Sequence, residues 1–294
     1  MEKHRNPFLA LVEKAMRTQG RAHMRPVIEK ELLHYDLLFA MDDAGLLENL
    51  TFQGGTALRL CYGSPRFSED LDFVGGPQFK TETMISMKAC LEQYLEKRYE
   101  LEVTVKEPQE VSLESTDRNI KVSKWQIRIV THPERPDLPK QMVKIEVANI
   151  PAYTREPRQI LSNYEFLPDG YRDTIVMTET IDEIFADKII AFVNCQSYVR
   201  HRDIWDMHWL RQRGAKIDTA LLKLKKNDYK IEDYLGKAKA VKLKLHDIIF
   251  GKEFRTQMSR FLPMDLQEKT LFKENFLILL ERETLEALDT GITY

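Results

Sequence analysis

The sequence predicts an α/β (α+β) protein whose first part mixes strands with helices and whose second part is helical to its end. Two observations carry this. Three runs, 101–105, 125–130 and 143–147, alternate apolar and polar residues with period two, as half-buried strands do. From Thr178 onward the apolar residues recur at helical spacing instead. The change of pattern divides the chain near residue 175.

The remaining elements follow in order. Residues 6–20 and 26–45 read as helices. Pro26 suits a first helical turn and Gly45 a stop. Residues 50–53 form a short apolar segment that ends at Gly54-Gly55, and a periodic stretch runs from Thr56 to Tyr62: strand, tight turn, helix. Residues 71–74 read as a further strand closed by Gly75-Gly76, and 81–99 as an amphipathic helix. Prolines 133, 136 and 139 make 131–140 a loop, and 151–173 is a connector. Helices are expected over 180–196, 201–213, 217–226, 231–249 and 266–288.

Composition narrows the class. The 294 residues are 43% hydrophobic, enough for one large domain or two small ones. Twelve glycines and twelve prolines exclude collagen-like and Pro/Gly-rich disordered chains. A net charge of -2 offers no whole-chain argument for a nucleic-acid partner, so any basic surface must be local. Cys61, Cys90 and Cys195 form no disulfide framework; buried structural thiols in a reducing, cytoplasmic setting are expected. The N-terminal stretch does not read as a signal peptide, and no run approaches the ~18 apolar residues of a membrane span.

The chemistry concentrates in Gly54-Gly55-Thr56, thirteen residues, and Asp70-Leu71-Asp72. Residues two apart on a strand point the same way, so Asp70 and Asp72 present two carboxylates on one face. Such a pair ionises fully only when a cation neutralises it, and Mg²⁺ commonly bridges carboxylates to substrate phosphates. Glycines at the start of a helix admit a ligand close to the backbone, and helix N-termini attract phosphate. Thr56 adds a hydroxyl. A phosphate cradle beside a metal-binding Asp pair suits transfer chemistry on a nucleoside triphosphate.

On these residues the chain resembles the nucleotidyltransferase superfamily, whose signature is Gly-Gly or Gly-Ser followed by Asp-x-Asp or Asp-x-Glu. More narrowly, GGTALRLCYGSPRFSEDLDF resembles the AbiEii/AbiGii toxin family, which includes the MenT toxins. A second block, Glu183 to Lys188 followed by Arg202-Asp203-Ile204-Trp205-Asp206, is similar to that family too. The resemblance covers most of residues 50–210. It implies a nucleotidyltransferase-like mixed-sheet core over 1–175, with N-terminal helices, and a helical domain over 176–294 that completes the active site. It implies a toxin of toxin–antitoxin or abortive-infection systems that moves a nucleotide from an NTP to the 3′ end of tRNA and so blocks translation. By the same resemblance Asp70 and Asp72 hold metal, Gly55 and Thr56 form the phosphate turn, and Lys188 and Asp203 are functional. Thr56 stands where the wider superfamily commonly has Ser, which keeps the hydroxyl.

Other residues carry two readings each. Arg66 holds a triphosphate or a carboxylate, or is an exposed loop arginine. Ser68 donates to phosphate or caps a turn. Glu146 orients or deprotonates an attacking hydroxyl, or is a solvated strand position. Lys188, in an apolar helix, snorkels to solvent or faces an anion, with the resemblance favouring triphosphate. Asp206 reads as a structural partner of an arginine, and His201 and His208 as packed or solvated rather than metal ligands. Residues 211–245 carry eleven Lys and Arg against four acids, a local net of +7, and residues 1–30 a net of +4; both could face an RNA backbone. Tyr229 and Tyr234 stack on bases or pack in the core, the latter being favoured.

The expectation is a Mg²⁺-dependent toxin nucleotidyltransferase that uses an NTP, acts on tRNA or another RNA, and is neutralised by an antitoxin encoded nearby. The alternatives are a transferase acting on a protein or small molecule, and a non-catalytic NTP-binding module whose partner is the antitoxin.

Overall fold

The computed structural model describes residues 6–18, 20–108 and 120–293. Its contacts divide the chain into two compact units, Met1–Thr178 and Glu179–Tyr294.

The first unit is a seven-stranded mixed sheet with helices. In chain order its elements are α1 (Pro7–Met16), α2 (Arg25–Asp43), β1 (Thr51–Gln53), α3 (Gly54–Tyr62), β2 (Leu71–Val74), α4 (Met87–Tyr99), β3 (Val103–Lys106), β4 (Val122–Ile129), β5 (Gln141–Ala148), β6 (Glu156–Gln159) and β7 (Ile175–Thr178). The strand order is β3-β4-β5-β2-β1-β7-β6. β2 runs parallel to β5 and β1 parallel to β7; the other pairs are antiparallel.

Alternation gives β2 to β5 two unlike faces. Leu71, Phe73, Ile145, Val147, Trp125, Ile127, Val103 and Val105 are buried on one face. α2 packs on β5 and α4 on β3, and this face meets them: Gln141, in line with Val143 and Ile145, donates to Glu29 of α2. Burying each such large apolar side chain contributes ~1.5–3 kcal/mol. The opposite face carries Asp70, Asp72, Lys124, Gln126, Lys144 and Glu146, all partly or largely exposed.

The second unit is helical: α5 (Ile181–Asn194), α6 (His201–Gln212), α7 (Thr219–Asp228), α8 (Tyr234–Phe250), α9 (Lys252–Ser259), α10 (Met264–Lys269) and α11 (Glu274–Thr293). α11 packs on α8 and α6, and α5 on α6 and α7. Thr180 caps α5 by accepting from the Glu183 amide, and Asp218 caps α7.

Several elements differ from the sequence pattern. The connector 151–173 holds β6, and β7 follows it, giving two strands where none was expected. β6 is an edge strand, which is where a sheet tolerates Pro157. The stretch 81–99 is a 3-10 turn, Thr81–Met84, and then α4. The stretch 266–288 is broken at Thr270, which leaves helical geometry (φ −129°, ψ −82°), so α10 and α11 are separate. α8 begins only at Tyr234, capped by the Asp233 carboxylate, and α9 was not expected. Cys61 is buried, but Cys90 and Cys195 are only half-buried; all three are free. No helix among the described residues is long and apolar enough to cross a membrane. Lys3 and Arg5, part of the basic N-terminal stretch, lie outside the described residues.

Candidate active site

The polar sheet face of the first unit gathers the acidic residues. Asp72 on β2 is the direct register partner of Glu146 on β5, and Glu146 is the partner of Lys124 on β4. Register partners emerge on one face, so Asp72, Glu146 and Lys124 form a line across three strands. Asp70 stands just before β2, two residues from Asp72. The Lys144 backbone N–H donates to Asp70 Oδ1 at 3.2 Å, and Lys144 Nζ lies 3.8 Å from Oδ2. Lys124 Nζ lies 2.8 Å from Glu146 Oε1. The hydrogen bond that Lys124 donates to Glu146 raises the Lys124 pKa above its ordinary value despite partial burial, and the charges of Glu146, Asp70 and Asp72 add to the rise.

The turn before α3 is built against this line. Gly54 has φ +76°, a left-handed conformation that side chains rarely adopt. A Cβ there would also lie 2.9 Å from Asp72 Oδ2. At Gly55 a Cβ would collide with the Arg66 guanidinium and come within 3.0 Å of Ser68 Oγ. Both glycines are therefore needed for close approaches made by the protein's own side chains. The N-cap residue of α3, Gln53, makes no side-chain cap hydrogen bond, so the first amides of the helix lack that partner.

Three side chains sit differently from the simplest expectations. Thr56 is fully buried and its hydroxyl donates to the Asp70 carbonyl, which commits its only proton to holding the Asp loop. Arg66 is not an exposed loop arginine: it is 2% exposed, and its Nη1 donates to the Phe67 carbonyl at 2.7 Å. Ser68 is buried as well. The first unit thus brings together Asp70, Asp72, Glu146, Gly55, Thr56, Arg66 and Ser68. Lys124 and Lys144 join them without having been singled out in the sequence. Their only signal was alternation with Trp125 and Ile145, which places them on the face opposite the core.

The oxygen donors of Asp70, Asp72 and Glu146 suit a hard cation such as Mg²⁺. Among the described residues, the one acidic trio converging within 4.8 Å lies elsewhere, in the second unit: Glu179, Glu183 and Asp187. Lys225 fills that trio. Its ammonium is fully buried at 3.0 Å from Glu179 Oε1, 2.7 Å from Glu183 Oε1 and 2.9 Å from Asp187 Oδ2. A fixed cation already occupies the place a metal would take. Burial raises the Glu179 pKa well above the usual carboxylate range, and burial also raises that of Asp187.

Lys188 and Asp203 lie in the second unit, and the structure pairs them. Lys188 Nζ is 3.0 Å from Asp203 Oδ1 and 3.0 Å from Asp206 Oδ2, and all three are buried. Arg200 Nε donates to the other Asp203 oxygen. Burial would raise the Asp203 pKa, but Lys188 and Arg200 outweigh it and hold the carboxyl below its ordinary value. Lys188 therefore does not snorkel, and Asp206 pairs with it. His208 Nδ1 lies 2.7 Å from Glu283, and His201 packs on Phe254.

The basic stretch 211–245 presents less free charge than its count implies. Lys225 is buried as described, Arg211 pairs with Glu286, and Lys242 pairs with Asp289. Arg213, Lys216, Lys223, Lys230, Lys239 and Lys244 are exposed. Tyr234 is buried and Tyr229 half-buried.

Comparison with known proteins supplies independent information. A family model described as nucleotidyl transferase AbiEii toxin, type IV TA system, matches residues 36–285. No curated protein matches the chain. Among solved structures, the chain is similar to a candidate nucleotidyltransferase from H. pylori at 16% identity and a TM-score of 0.48, covering 91% of this chain and 95% of that one. It is similar to JHP933 from Helicobacter pylori at 17% identity and a TM-score of 0.42, covering 91% of this chain and 92% of that one.

Proposed function

The chain belongs to the AbiEii family of nucleotidyl transferase toxins of type IV toxin–antitoxin systems, and from that premise we propose that it moves a nucleotide from an NTP onto RNA, with the tRNA 3′ acceptor end as acceptor, and so blocks translation. The observation that carries the reading is the line of Asp72 and Glu146, with Asp70 beside it, against the uncapped start of α3.

In this reading Asp70 and Asp72 would hold Mg²⁺, which when bound would supply charge neutralisation for the triphosphate and the leaving pyrophosphate. The α3 amides, Ser68 and the Arg66 guanidinium bind phosphate oxygens at the Gly55 turn. Thr56 keeps the Asp70 loop in place through its bond to the Asp70 carbonyl. Glu146 orients the acceptor hydroxyl and takes its proton. The acceptor oxygen bonds to the α-phosphorus as the bond to the β-phosphate oxygen breaks. Positioning and charge neutralisation supply most of the rate. Lys188 and Asp203 enter the reading on their sequence motifs alone. The family also implies an antitoxin as partner.

Incubating the purified protein with each labelled NTP and total tRNA tests the reading. Label should enter RNA with at least one nucleotide and vanish with Asp72→Ala. If no NTP labels RNA while a protein fraction becomes labelled, the acceptor is a protein; if nothing is labelled, the transferase reading fails.

A further inference from the structure

Lys124 stands where a metal-binding line would least be expected to carry a positive charge. It is the register partner of Glu146, which is the register partner of Asp72. Its ammonium is 2.8 Å from Glu146 Oε1 and within the field of Asp70 and Asp72. Lys144, on the same face, lies 3.8 Å from Asp70 Oδ2. Two ammoniums thus set the formal charge of three carboxylates to -1 rather than -3.

Neither partner of the Lys124 pair is locked in place. The Lys124 side chain is 44% exposed and that of Glu146 is 28% exposed. A lysine on a flexible four-carbon stem can leave its carboxylate without disturbing the strand. This contrasts with Lys225, whose ammonium is fully buried among its acids. One lysine is built to stay and the other can move.

We propose that Lys124 is a resident counter-cation of the carboxylate line, holding Glu146 in the metal-free protein and competing with a divalent ion for it. The proposal rests on the reading of Asp70 and Asp72 as the metal site, with Glu146, the register partner of Asp72, as a further oxygen donor beside it. Its consequence is a site that takes metal weakly by itself. A triphosphate, which draws the ammonium onto its own oxygens, then favours metal entry. Nucleotide and metal load together, a coupling that is reciprocal by linkage.

Mn²⁺ titration of the full chain without nucleotide, by calorimetry or electron paramagnetic resonance, tests this. Removing one like charge beside the ion should tighten Mn²⁺ binding about tenfold in Lys124→Met. Lys124→Arg, which keeps the charge, should bind as the wild type does. Lys124→Gln serves as a second neutral variant, and an unchanged denaturation midpoint verifies folding. Equal or weaker Mn²⁺ affinity in both neutral variants overturns the proposal while leaving the metal site intact. Asp72→Asn should abolish binding in every background. Binding that survives it, or no binding in any variant, overturns the metal reading and this proposal with it.

Discussion

Asp72 and Glu146 face each other directly across the parallel pair of β2 and β5, and each also stands beside a group from a third element. Gly54 leaves beside Asp72 the space that a Cβ would take, and Lys124 bonds to Glu146. The two carboxylates come from distant parts of the chain, yet strand spacing holds them about 5 Å apart at the backbone.

This relationship predicts a separation of activity from stability. Asp72→Asn should lower nucleotide transfer by ~10²–10⁴-fold, since charge neutralisation of this kind is worth several kcal/mol. Any loss of stability should stay within about 1 kcal/mol, because the change keeps the side chain's shape at a partly exposed site and removes one of three clustered carboxylate charges. Transfer assays beside urea denaturation check both; a large drop in stability would assign Asp72 a structural role.

Gly55 makes a different prediction. Gly55→Ala places a methyl group against Arg66, which is 2% exposed and has little room to yield. Overpacking of this kind destabilises by ~1–3 kcal/mol. NTP binding should weaken as Arg66 and Ser68 shift. Thermal melts and NTP titration read the two effects, and an unchanged NTP affinity would remove Arg66 and Ser68 from the phosphate cradle.

In the second unit, Lys188→Met should destabilise by ~3–5 kcal/mol, because two buried carboxylates lose a shared cation. Adding Asp206→Asn should restore part of that loss, so the two changes are non-additive. Urea melts of the single and double variants measure the coupling. Any activity change in Lys188 variants is interpretable only on a folded background, which the double variant supplies.

Asp36 predicts a pH dependence. It is fully buried against Arg98, Tyr99 and Tyr171, and burial pushes its pKa up to about 6. In the unfolded chain it ionises near pH ~3.9. Between these values the folded state holds a proton that the unfolded state has lost, so this stabilising contribution is full below about pH 4 and is lost as pH rises through 6. The stability of the wild type relative to Asp36→Asn should therefore fall by roughly 2–3 kcal/mol from pH 4 to 7. Denaturation curves at several pH values check it; a constant difference would place the Asp36 pKa near its ordinary value.

The strand–turn–helix–strand of 50–74 was legible because its signals are local: two glycines, a period-two Asp pair and an apolar strand. The helical character of α5 was legible for the same reason, through its apolar spacing. β6 was not, because Glu156, Pro157 and Arg158 lack strand character and only pairing to β7 makes them a strand. The role of Lys225 was hidden within a basic count. Its environment comes from Glu179, Glu183 and Asp187, whose approach depends on how α5 and α7 pack.

By itself the sequence determined what one element can encode. Period two put Asp70 and Asp72 on one face, and apolar periodicity separated a sheet-bearing part from a helical one. Only the tertiary structure decided which strands are neighbours. It placed Glu146 beside Asp72, put Lys124 next to Glu146, buried Arg66 against Gly55 and bound Lys188 to Asp203 and Asp206. The physical reason is that strand order and register are set by burial of a whole face, to which each residue contributes only a part.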